Sequence, residues 1–103
     1  MAGTIAVNKE KWWSVSSSLF YWVILTFSEE VKDSQLRKEL TSIEENNLGW
    51  FDIEELSTEQ RQDIFIIIRQ LPALAAKNLH YKPGEPVPYI SLINELVDLL
   101  PDK

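Results

Sequence analysis

Apolar positions along this chain recur mostly at spacings of three and four, the period of amphipathic helices. Projected at about 100° per residue, Trp12, Trp13, Leu19, Phe20, Val23, Phe27 and Val31 fall in one arc, which predicts a first helix over residues 10–32. Its other side carries Ser14, Ser17, Ser18, Tyr21, Leu25 and Ser28 and no charge before Glu29. A helix this apolar belongs at the centre of a bundle, with later segments shielding Tyr21 and Leu25. A second helix is expected from Ser34 as N-cap to Asn47, with Leu36, Leu40 and Ile43 as its buried stripe. Asn46, Asn47 and Gly49 form its stop, Gly49 being suited to a left-handed position. Asp52 could cap a short turn through Glu55.

The third helix is announced by the capping box Ser57-Thr58-Glu59-Gln60 and expected to end at Leu71, before Pro72. Ile64, Ile67, Ile68 and Leu71 share its inner face. Ile66 points away, among Glu59, Asp63 and Gln70, as a candidate contact residue or, the favoured expectation, as one that a later segment covers. Pro72 then opens a short helix, Ala73 to Asn78. Residues 79–88 are a proline-rich connector with a turn at Pro83-Gly84. Pro88 leads the last helix, Tyr89 to Leu100, which turns Ile90, Ile93, Leu96, Val97 and Leu100 inward and is stopped by Pro101. The expectation is all-α: residues 1–8 as an N-terminal tail and residues 9–103 as a single-domain bundle of four to five helices. Leu19, Phe20, Val23, Ile64, Ile68, Leu96 and Val97 should form its core.

Composition narrows the function. The 103 residues hold 45% hydrophobic and 25% charged positions, as a folded domain does. No cysteine is present, which argues against a disulfide-stapled scaffold or a thiolate metal site. The stretch Trp12 to Ser28 is uncharged but rich in serine and short of the roughly 20 residues a membrane span needs. A cytoplasmic protein without a membrane partner is expected. The formal charge is −6, and residues 29–63 hold eleven acids against four bases, so the whole excess lies there. Binding to nucleic-acid phosphates is not expected of such a chain.

Chemistry is sparse. His80 is the only histidine and no cysteine is present, which nearly excludes the usual nucleophile–base pairs, and no glycine-rich phosphate loop exists. Glu44 to Glu55 has the length of a calcium loop, with Gly49 at its sixth position. Leu48 at the fifth cannot ligate. No catalytic residue, metal or cofactor is assigned, and the chain is not expected to be an enzyme.

The unusual feature is the segment from Glu39 to Gln60. It carries Glu39, Glu44, Glu45, Asp52, Glu54, Glu55 and Glu59, no lysine or arginine, and one strongly apolar pair, Trp50 and Phe51. A negative field around an aromatic anchor suits capture of a basic protein surface. The alternative is a solvated acidic face with both aromatics turned into the core. In size, acidity, lack of cysteine and this acidic, aromatic patch, the chain resembles the small helical immunity proteins that bacteria make against their own toxic nucleases. The resemblance implies a stoichiometric inhibitor that covers a basic toxin, with those seven carboxylates, Trp50 and Phe51 as the contact. The competing expectation is a non-catalytic adaptor or scaffold subunit that assembles through its aromatic-rich first helix. A monomer is favoured, with a dimer as the alternative.

Overall fold

The computed structural model describes residues 2–46, 48–78 and 89–100. The fold is not all-α. A three-stranded sheet of β1 (Ala2–Ala6), β2 (Trp12–Ser16) and β3 (Trp50–Asp52) accompanies α1 (Ser17–Glu30), α2 (Ser34–Glu45), α3 (Thr58–Asn78) and α4 (Tyr89–Asp98). A short 3-10 turn, Ile53–Glu55, follows β3. The strand order is β2-β1-β3, with β1 antiparallel to β2 and parallel to β3.

The segment expected to be a tail is therefore the central strand. Its composition, Ala-Gly-Thr-Ile-Ala, carries a weak strand signal, and tertiary packing supplies the rest. Gly3 lies against α1 so closely that a Cβ added there would stand 2.0 Å from Cγ of Phe20. Phe20 is fully buried, so its ring cannot swing clear. Gly3→Ala should therefore destabilise the protein by about 1–3 kcal/mol through overpacking, read as a lowered thermal midpoint. If residues 2–6 were a solvated tail, the same change would leave the midpoint unmoved.

The first predicted helix also divides. Trp12 to Ser16 forms β2, and helix begins only at Ser17. The burial of β2 alternates: Trp13 and Val15 point inward, Trp12, Ser14 and Ser16 outward. The remaining α1 is central, packing on α2, α3, β1 and β2. It buries Leu19, Phe20, Val23, Ile24 and Phe27, half-buries Tyr21, and leaves Leu25 exposed at 41%. Phe27 meets Phe51 of β3 with ring centroids 6.0 Å apart. Trp13 donates its indole N–H to the carbonyl of Leu92 at 2.8 Å, tying the sheet to α4.

The N-cap of α2 is Asp33 rather than Ser34: its Oδ1 accepts from the N–H groups of Gln35 and Leu36. Its other oxygen accepts from Nε2 of Gln60 at 2.8 Å. That amide first, then the Gln35 N–H, hold the Asp33 carboxyl below its ordinary pKa. Gly49 has φ 66°, the left-handed conformation expected of it, and its carbonyl accepts from Thr4 N–H at 2.9 Å. The capping box of α3 forms as the sequence implies, Ser57 N–H to Gln60 Oε1 at 3.1 Å and Gln60 N–H to Ser57 Oγ at 3.2 Å. Pro72 does not end that helix. It sits inside α3, which runs on to Asn78, so no separate Ala73–Asn78 helix exists. Pro72 offers no N–H to Ile68, a loss that burial of Leu71 and Ala75 on either side offsets.

Of the expected core, Leu19, Phe20, Val23, Ile64, Ile68 and Leu96 are buried and Val97 is half-buried against them. Asn47 as a helix stop, the connector 79–88 with His80, Pro88 as a helix lead and Pro101 as a helix stop lie outside the described residues, as does the side chain of Ile90.

Candidate functional site

Helices cover one face of the sheet, with Gly3, Ile5, Trp13, Val15 and Phe51 turned toward them. Register fixes the composition of the other face, because side chains alternate along a strand. Thr4 lies between Ser14 and Trp50, and Ala6 between Trp12 and Asp52. Two indoles therefore stand diagonally across the small residues of β1. Their centroids are 5.7 Å apart and their planes meet at 86°, an edge-to-face contact. Ala6 is shielded, while Trp12 is 61% and Trp50 44% exposed. Leu48, also exposed, lies in the turn leading to Trp50. Large aromatic surface left in water has no stabilising role that burial would not serve better.

Carboxylates adjoin this pair on one side. Trp50, Phe51 and Asp52 of β3, Glu55 of the 3-10 turn and Glu39 of α2 line an open depression together with Ser42, Ile43 and Leu56. Phe51 belongs to its floor. It is 4% exposed and packed on Phe27, so it is core and not an anchor. Asp52 is half-buried and caps the 3-10 turn, its Oδ1 accepting from Glu54 N–H at 3.0 Å.

The remaining predicted site residues spread out. Glu44 and Glu45 are exposed in the last turn of α2, which has no basic residue there and no acid in its first turn. That is the reverse of what the helix dipole favours. Glu54 is half-buried beside Asp52. Glu59 stands in the first turn of α3, where the dipole welcomes it, and lines a separate depression with Lys32, Asp33, Gln60, Asp63 and Ile66. Ile66, expected to be covered, is 53% exposed there. Among the described residues no group of three or more His, Cys, Asp or Glu side chains is placed to hold a metal ion, and no helix is long and apolar enough to cross a membrane.

Trp12 is the surface residue that helical periodicity conceals. Its signal is the alternation Trp-Trp-Ser-Val-Ser, a period of two inside an uncharged run. No family model, no curated protein and no solved structure matches this chain.

Proposed function

We propose that this chain is a protein-binding inhibitor that neutralises a basic partner, a bacterial toxin such as a nuclease, in the cytoplasm of the cell that makes it. The observation carrying this reading is the position of Trp50. It is half in water, in edge contact with the exposed Trp12, and at the rim of a depression it shares with Glu39, Asp52 and Glu55. Paired indoles supply contact area at small entropic cost, and a cationic side chain gains both from an indole face and from carboxylates beside it. Nucleases that grip phosphate are basic, so an acidic surface steers toward their substrate site or its border. The acids in the last turn of α2 fit a role in such a field, since they do nothing for their own helix. Assembly through α1 has less support, because that helix spends its large side chains on the core and exposes only Leu25 among them.

The test begins with the genes beside its own. A basic toxin there supports inhibition, and an operon of assembly subunits without a toxin counts against it. With that partner in hand, Glu39, Glu44 and Glu55 are reversed to lysine together. All three are exposed, so the fold should persist. Association should slow and lose most of its salt dependence, because these charges act over distance. Trp50→Ala should instead speed dissociation, at a cost of about 2 kcal/mol or more in affinity. Binding indifferent to the triple reversal would overturn the reading.

A further inference from the structure

We propose that the depression beside Trp50 takes the guanidinium of an arginine side chain of the partner protein, in preference to a lysine. The site rests on the basic-partner reading above and gives it a chemical specificity. Its make-up carries the case. Ile43, Phe51 and Leu56 are between 4% and 8% exposed, so the floor is the outer surface of the core. Trp50 stands over that floor, and Glu39, Asp52 and Glu55 rim it. Local structure explains the gathering. Glu39 and Ile43 lie four apart on α2 and share a helix face. Trp50 and Asp52 lie two apart on β3 and share the outer face of the sheet.

An exposed indole, an apolar floor and carboxylates at its border ask for a flat cation. A guanidinium can stack on an indole while its N–H fork holds a carboxylate, and it is more weakly hydrated than an ammonium. A lysine gains from the same acids but gives up more hydration to sit on an apolar surface. The site is also set in advance. The edge contact with Trp12 orients the Trp50 ring, and Asp52 is held by the Glu54 N–H, so little ordering remains for binding to supply.

Charge separates this depression from its neighbours. Among the described residues no lysine or arginine lines it. Lys38 lines an adjacent hollow with Ser34, Gln35 and Glu39. The depression at Ile66 holds Lys32 among its acids and has no aromatic wall, so a cation there meets a like charge and nothing to stack on.

The experiment titrates the full chain with two capped tripeptides, acetyl-Gly-Arg-Gly-amide and acetyl-Gly-Lys-Gly-amide, and follows the indole N–H signals of the four tryptophans by NMR. Both peptides carry one charge, so the acidic field attracts them alike. The arginine peptide should bind with a Kd on the order of millimolar and about two- to fivefold more tightly than the lysine peptide. The Trp50 signal should shift most and that of buried Trp13 least. Trp50→Ala should remove the preference. Glu39→Gln with Glu55→Gln, both exposed and safe for the fold, should weaken both peptides and narrow the difference between them. Equal binding of the two peptides, shifts centred on the Ile66 depression, or affinities indifferent to the double glutamine change would overturn the proposal. The two readings fail separately. A toxin partner whose association slows on the triple charge reversal, beside peptides bound equally, would sink the arginine site and leave inhibition standing. Arginine preference beside an operon of assembly subunits would keep the site and remove the inhibitor.

Discussion

Trp13→Ala should cost about 3–5 kcal/mol of stability, while Trp12→Ala, one residue earlier, should leave the melting midpoint nearly where it was. Trp13 is buried on the helix side of the sheet, and its indole N–H is the donor to the Leu92 carbonyl. Its removal leaves a large cavity between β2 and α4 and an acceptor without its partner. Trp12 faces water and loses little besides its edge contact with Trp50. Trp13→Phe separates the two terms. It keeps most of the apolar volume and gives up the hydrogen bond, so its cost should be nearer 1 kcal/mol. Neighbours on a helix lie about 100° apart and would share one apolar arc, whereas neighbours on a strand face opposite ways. Equal costs for the two alanine variants, measured by thermal or denaturant unfolding, would remove the strand.

That contrast also marks where the sequence can be read and where it cannot. α2 and α3 announce themselves through amphipathic spacing and caps, and the Ser57–Gln60 box closes as written. The sheet does not. β1 is five small or β-branched residues whose place comes from Gly3 yielding room to Phe20, a contact seventeen positions away. β2 hides in an uncharged run where the period changes from two to 3.6 at Ser16, and with only serines and no charged residue on the far side both periods fit. β3 is three residues long and exists because Gly49 turns the chain beside Thr4.

The candidate site was legible in charge and illegible in geometry. Glu39, Trp50, Asp52 and Glu55 gather because α2, β3 and the 3-10 turn meet, and spacing along the chain cannot distinguish them from Glu59, which lines another depression. Phe51 and Trp50 look alike as a pair, yet strand alternation sends one inward and one outward. Trp12 joins Trp50 only through β1, the strand that hydrophobic periodicity misses.

Ile68→Ala should lower stability by about 2–5 kcal/mol, the cost of a cavity in a packed core. Ile68 is fully buried on the face of α3 that also carries Ile64 and Leu71. For a chain of this size the loss corresponds to a thermal midpoint lower by roughly 10 °C or more. Ile68→Val removes a single methylene and should cost about 0.5–1.5 kcal/mol, so the pair scales the effect with volume removed. Two positions earlier, Ile66→Ala should change stability by no more than about 0.5 kcal/mol, because that side chain is already mostly in water beside Glu59 and Asp63. The three variants test the rotation of α3 about its axis, and with it the side of the molecule on which Ile66 is displayed. An Ile68→Ala protein that melts with the parent, or an Ile66→Ala protein that loses several kcal/mol, would mean that α3 is turned the other way. Ile66 would then be core, and the depression between α3 and the Lys32–Asp33 turn would lose its apolar wall.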